Sequence, residues 1–375
     1  MSDIMIKIAV IFLLEYFRMS DGDDYYFSYE DLNVHQLMLR DRHRTETYKQ
    51  AIFSLQECIK DKVVMDVGTG TGILSIFCAQ AGAKKVYAVE ASRVAKLAQK
   101  TIEDNNLSHI IQVIHDHVEE VELPFGEKVD VLVSEWMGFY LLHEGMLNSV
   151  IAARNKHLKP NGKMLPEIAR LYSCPCSLPS EFDFWTDVYG VNMSSVGEET
   201  RKTKRQHPEI MEVRKEDLLS KPTCVLELDL KTVTVEDVDA FSTKCVATAV
   251  RDGRYQGLVL WFSCLFPVPN LETQPVVLST SPEDQCTHWK QTVLVLPQEI
   301  NVTEDEPIAW ELKLKRSVDN PRQYSIEFIM LDPEKEQHPI PCYCHLTKCI
   351  VTRTFLECEK EPQVEDSESQ IIDFC

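Results

Sequence analysis

Residues 63–67, Val-Val-Met-Asp-Val, form a short apolar run that ends in glycines, as a parallel strand buried on both faces does. A helical pattern follows over 73–81 and is closed by Gly82. A second apolar run covers 86–90, and Ser92 is placed to cap a helix reaching about Asn105. Residues 110–114 and 129–134 predict two more strands. A helix is predicted over 143–158, stopped by Lys159, Pro160, Asn161 and Gly162. Repeated strand–helix–strand units imply an α/β half with a parallel, doubly wound sheet.

The pattern changes after Pro166. Residues 226–235 alternate as a strand does. Residues 245–250 and 258–266 flank Asp252-Gly253, a hairpin signal, and 310–316 and 324–331 flank Asp319-Asn320-Pro321. This half therefore reads as mainly β, a barrel or a sandwich. A polar stretch at about 180–217, with Arg201, Lys202, Lys204 and Arg205, reads as a solvated loop. At the N-terminus, 4–17 is mostly apolar but is interrupted by Lys7 and Glu15. Its longest uncharged run, 8–14, falls short of the ~20 residues needed to span a bilayer. No cleavage site follows it, so 1–18 reads as a leader of doubtful status, with the functional chain starting near Met19. The expected organisation is 19–166 for the α/β half, 167–340 for the β half and 341–375 for a Cys-containing, then acidic, disordered tail.

Composition narrows the function. A chain of 375 residues is long enough for two domains, each with its own core. Its 13 cysteines, scattered and odd in number, suit reduced thiols of an intracellular protein better than a disulfide scaffold. The net charge of −20, from 59 acidic and 39 basic residues, argues against nucleic-acid binding through a general basic footprint. It favours cationic partners such as basic peptides. No segment predicts a membrane span. In the tail, Cys342, Cys344, His345, Cys349 and Cys358 are spaced too unevenly for a zinc motif, and no metal is predicted.

Two local patterns carry chemistry. Asp66, Gly68, Gly70 and Gly72 lie between a predicted strand and a predicted helix, where glycines let the backbone turn tightly and approach a ligand. Glu90, at the end of the next strand, is placed to accept ribose hydroxyls. The spacing is G-x-G-x-G, with no lysine to hold phosphates, so a cofactor without pyrophosphate fits, such as S-adenosyl-L-methionine. The second pattern is Ser134-Glu135-Trp136-Met137-Gly138, followed nine residues after Glu135 by Glu144. This loop lies at the carboxyl edge of the predicted sheet, where open α/β folds bind ligands. Taken alone, Glu144 equally favours a helix N-terminus.

The double-glutamate loop resembles that of the protein arginine N-methyltransferases. Four further blocks agree in order: Tyr25-Tyr-Phe-Ser-Tyr29, the stretch from His35 to Thr45, the cofactor motifs 64–75 and 86–92, and Thr287-His288-Trp289-Lys290-Gln291. The resemblance runs from about Tyr25 to Leu331 and leans towards the type I enzymes. It implies a Rossmann-like methyltransferase domain followed by a β-barrel carrying an inserted helical dimerisation arm, with a homodimer as the assembly. It further implies methyl transfer from S-adenosyl-L-methionine to arginine in basic proteins such as histones, giving monomethyl and asymmetric dimethylarginine, in the nucleus and cytoplasm. Glu135 and Glu144 would be catalytic, with Asp41 and His288 either serving the substrate proton or tying the domains together. His35, Arg44, Asp66, Gly68, Gly70, Glu90, Val118, Glu119 and Tyr29 would hold the cofactor. Tyr25, Met38, Trp136, Met146 and Trp289 would surround the substrate. Phe139 stands where these enzymes usually carry Tyr, which leaves a second reading, a weakly active coregulator or scaffold.

Overall fold

The computed structural model describes residues 7–8, 26, 29–270 and 273–358. Two helices lead in, α1 (Leu32–Arg40) and α2 (Arg42–Ser54), hinged at Asp41, whose side chain caps α2 by accepting from the Arg44 N–H. A five-stranded parallel sheet follows, built from β2 (Val63–Val67), β3 (Lys85–Glu90), β4 (Ile111–His115), β5 (Val129–Val133) and β6 (Leu158–Leu165). Its order, β4-β3-β2-β5-β6, reverses direction around β2, so a crevice opens at the carboxyl ends of β2 and β5. The helices are α3 (Ile73–Gln80), α4 (Ala95–Asp104) and α5 (Leu147–His157). Every residue of β2 is buried, which is why it reads as an unbroken apolar run.

The helix expected over 143–158 begins four residues late. Glu144 and Gly145 take left-handed φ values of 74° and 63°, so Glu144 sits on a loop and not in the first turn of a helix. It ends at His157, just before the expected stop at 159–162, and those four residues run on as part of β6.

The second half is two antiparallel sheets. One has the order β1-β15-β14-β10, from β1 (Lys7–Ile8), β10 (Ala240–Thr248), β14 (Pro307–Arg316) and β15 (Tyr324–Leu331). The predicted leader thus contributes an edge strand; its remaining residues lie outside the described ones. The other sheet runs β8-β13-β11-β7-β9, with β12 (Val277–Ser279) also paired to β11. Its strands are β7 (Ile168–Cys176), β8 (Glu209–Met211), β9 (Thr223–Asp229), β11 (Gly253–Leu265) and β13 (Gln291–Val302). The hairpin expected around Asp319-Asn320-Pro321 forms, as β14–β15. That expected around Asp252-Gly253 does not. β10 pairs with β14, β11 pairs with β7, β12 and β13, and Gly253 lacks the positive φ that a tight hairpin turn needs.

Alternation along β11 explains its burial on both faces. Leu258, Leu260, Phe262 and Cys264 join the large core shared with the α/β half, while Val259 and Trp261 face a second core with Cys174, Cys176 and Phe182. The stretch at 180–217, expected as a loop and by resemblance as a dimerisation arm, lies over that second face and contains α6 (Ser194–Lys204). Residues from 341 do not begin a wholly disordered tail: α7 (Thr347–Cys358) is ordered, and only the stretch after it lies outside the described residues. The cysteines of the described residues are free thiols. Among the described residues no helix is long and apolar enough to cross a membrane.

Candidate active site

The glycine loop leaves β2 with left-handed φ at Gly68 (73°), Gly70 (54°) and Gly72 (91°). It is held down by the Val89 carbonyl, which accepts from Gly68 N–H at 2.9 Å and Thr69 N–H at 3.0 Å. Asp66 is the anchor beneath it. Its Oδ2 accepts from the Thr69 and Ser75 hydroxyls, each at 2.7 Å. Burial pushes its carboxyl up to about 6, against the pull of those hydroxyls. The sequence places Asp66 among the cofactor contacts, and the structure corrects this. Asp66 is fully buried and does not line the cavity, so it acts by positioning the loop.

Glu90 closes the side of the loop, with one carboxylate oxygen accepting from Gly70 N–H and the other from Ser92 N–H, both at 2.9 Å. Val118 and Glu119 line the same cavity, and Glu119 accepts from the Ser149 hydroxyl at 2.6 Å. From above, α1 brings His35, whose Nε2–H donates to the Tyr29 carbonyl at 2.7 Å, and Met38. Met146 lies opposite, so close that a Cβ on Gly68 would fall 2.3 Å from its Cε.

The two glutamates are held quite differently. Glu135 follows β5 and is paired with Arg44 from α2, at 2.6 Å from Nη2 and 2.8 Å from Nε. Burial opposes the Arg44 charge, but the Glu135 carboxylate outweighs it and raises the guanidinium further into its charged form. Glu144 is clamped from the barrel. Its N–H donates to the Arg322 carbonyl and its own carbonyl accepts from Arg322 Nη1, both at 2.9 Å. Its carboxylate accepts from the Tyr29 hydroxyl at 2.6 Å.

Between them the chain folds back at Gly138, which bonds with Leu141 in both directions at 3.0 and 2.9 Å. A Cβ on Gly138 would sit 2.3 Å from the His143 carbonyl oxygen. Burial lowers His143 to about 4, so it stays neutral beside Glu144. Trp136 and Phe139 also line the cavity.

His288 and Asp41 join the halves. Asp41 Oδ2 accepts from the His288 backbone N–H at 2.8 Å and from its Nδ1–H at 2.7 Å. Burial would raise the Asp41 carboxyl, but the bonds from His288 and from the Arg44 N–H win and lower it. His288 lines the cavity, whereas Asp41 does not and works through its partner. Trp289 lines the cavity too, but its indole N–H is spent on the Met137 carbonyl at 2.9 Å, which buttresses the glutamate loop.

Tyr25 lies outside the described residues. Its neighbour Tyr26, which sequence reasoning passed over, lines the cavity, with its hydroxyl accepting from Arg322 Nη2 at 3.0 Å. Tyr26 sits inside the tyrosine run that drew attention to Tyr25. The clamp from Arg322 had no local signal, because it depends on 178 residues of separation along the chain.

The first half of this architecture defines the chain as a methyltransferase by class: residues 43–165 match the family model of ribosomal protein L11 methyltransferase. Residues 167–330 match the arginine methyltransferase oligomerization subdomain. Protein arginine N-methyltransferase 6 of Danio rerio is 44% identical over 332 residues, covering 86% of this chain and 93% of its own. Probable protein arginine N-methyltransferase 6.1 of Oryza sativa subsp. japonica is 41% identical over 336 residues, covering 82% and 85%. Among solved structures, protein arginine methyltransferase 10 of Arabidopsis thaliana superposes with a TM-score of 0.73 at 34% identity, covering 84% of this chain and 97% of that one. The Trypanosoma brucei PRMT1 enzyme–prozyme heterotetrameric complex with AdoHcy gives 0.72 at 33% identity, covering 83% and 98%. The chain belongs to the protein arginine N-methyltransferase family.

Proposed function

We propose that this chain transfers methyl groups from S-adenosylmethionine to guanidinium nitrogens of arginine in basic proteins, histones among them, giving monomethyl and then asymmetric dimethylarginine. The observation that carries this reading is the convergence of Glu135 and Glu144 on the cavity floored by the glycine loop and edged by Glu90.

The residues present fit the cofactor. A Cβ on Gly68 would clash with Met146, the left-handed φ of Gly70 suits glycine, and Glu90 is placed for a ribose. Val118 and Glu119 lie where an adenine would end, and Arg44 is the buried cation for a carboxylate. When bound there, the cofactor supplies an electrophilic sulfonium methyl group.

The chain's own part is positioning. Glu135 and Glu144 orient the forked donors of a guanidinium and hold its positive charge away from the nitrogen that reacts. Alignment of this kind supplies on the order of 7–11 kcal/mol of barrier reduction in favourable cases. Met38 and Met146 fill the space beside the grip, which supports delivery of the second methyl to the nitrogen already methylated. The net charge of −20 steers cationic substrates inward. A homodimer formed through the arm at 180–217 completes the reading, supported by the match to the oligomerization subdomain.

Mass spectrometry of histone and Gly-Arg-rich peptides after incubation with labelled cofactor tests it. Asymmetric dimethylarginine is expected. Symmetric product overturns the type I reading, and intact cofactor binding without product favours a coregulator role, to which the loss of a tyrosine hydroxyl at Phe139 points.

A further inference from the structure

His338 and three cysteines converge outside the active site, past the end of the β15 strand. The ligand atoms of His338, Cys342, Cys344 and Cys349 all lie within 4.8 Å of one another. His338 Nδ1 is 3.3 Å from Cys342 Sγ, 3.5 Å from Cys344 Sγ and 3.2 Å from Cys349 Sγ. A tetrahedral zinc ion with its usual bond lengths spaces nitrogen and sulfur ligands about 3.6 Å apart. We propose that this cluster is a structural Cys3His zinc site that staples the C-terminal segment to the barrel.

Three further observations support it. First, the imidazole is set for ligation. Its Nε2–H donates to the Pro333 carbonyl at 2.8 Å, which leaves the Nδ1 lone pair facing the sulfurs. Metal-binding histidines commonly fix their tautomer through such an outer hydrogen bond. Secondly, all three thiols are buried, and with Leu346 they make a small cluster of their own, separate from the barrel's core. So few apolar side chains do not hold a helix such as α7 in place, and small modules of this size commonly rely on a metal. Thirdly, the cluster is docked at defined points. Thr248 Oγ1 lies 3.6 Å from Cys342 Sγ, the His345 N–H donates to the Asp305 carbonyl at 3.0 Å, and Lys244 pairs with Glu336 at 3.0 Å. On binding, each thiol releases its proton to solvent, the imidazole keeps the proton on Nε2, and the site carries one net negative charge.

The sequence spacing hid this arrangement because the adjacent His345 is the obvious fourth ligand. It is exposed, as is Cys358, and the imidazole comes instead from four residues before Cys342.

Elemental analysis of the full chain, reconstituted with zinc under reducing conditions and desalted, decides the matter. One zinc per chain is expected. The Cys344→Ser/Cys349→Ser double variant is expected to lose it, while His345→Ala and Cys358→Ser keep it. Zinc that stays below stoichiometry in the wild type, or survives in the double variant, overturns the proposal. Should the double variant precipitate, the wild type loaded with cobalt answers alone. Strong thiolate-to-cobalt charge-transfer and tetrahedral d–d bands support the site, and their absence overturns it. None of these readouts depends on methyl transfer.

Discussion

Replacing Glu135 and Glu144 one at a time separates stability from chemistry. The Glu135 side chain is 8% exposed and neutralises an equally buried Arg44, whereas that of Glu144 is 21% exposed. Glu135→Gln leaves a buried guanidinium without its counter-charge, which costs about 3–5 kcal/mol, so both activity and melting temperature are expected to fall. Glu144→Gln is expected to abolish methyl transfer while leaving the melting temperature nearly unchanged; a large drop there would contradict this account. His143 adds a pH signature. Burial holds it near 4 in the folded chain, while an unfolded histidine titrates at about 6.5. The unfolded state therefore binds the extra proton first, and stability contributed by neutral His143 is lost as pH falls from about 6.5 towards 4. Denaturation midpoints of His143→Gln measured across that window should fall less steeply than those of the wild type.

At the scale of elements, the glutamate loop depends on a close approach of its own backbone. A methyl group at Gly138 would meet the His143 carbonyl oxygen at 2.3 Å, and backbone has no flexible end to move aside. Gly138→Ala is expected to shift Glu144 and lower kcat by about 10²-fold, the scale of a misplacement near 1 Å. Calorimetric affinity for S-adenosylhomocysteine should hardly change, because the glycine loop lies on a different strand end. The buried strands of the first half were legible because covering both faces leaves an unbroken apolar run, as in β2. The start of α5 was not, since a left-handed residue at Glu144 has no compositional mark. Nor was the separation of β10 from β11, where Asp252-Gly253 offers hairpin chemistry and the strands find other partners. In the site, the glycines and both glutamates stood out through their spacing. Asp66 turns its carboxylate to the nearby Thr69 and Ser75 hydroxyls and away from the cavity, a choice the motif does not mark, and the reach of Arg322 to Glu144 is decided by tertiary packing alone.

For the whole molecule, the arm between β7 and β8 leaves apolar side chains in solvent, with Phe184 at 54%, Tyr189 at 102% and Val191 at 57% exposure. Sedimentation of the full chain at micromolar concentration is expected to show a dimer, and Tyr189→Ser/Val191→Ser a monomer. A wild-type monomer would remove the homodimer from the proposal. Glu144 carries a last consequence. Its carboxylate meets Tyr29 from the turn before α1, and its main chain is gripped by Arg322 just before the last barrel strand. A ribosome that has completed the parallel sheet has therefore not yet made the clamp. At ordinary elongation rates of about 5–20 residues per second, the nascent chain waits roughly 8–30 s between the end of β6 and the emergence of Arg322. Throughout that interval the chain already carries the glycine loop and both glutamates but lacks the residue that clamps Glu144, so the site becomes whole only as synthesis nears its end.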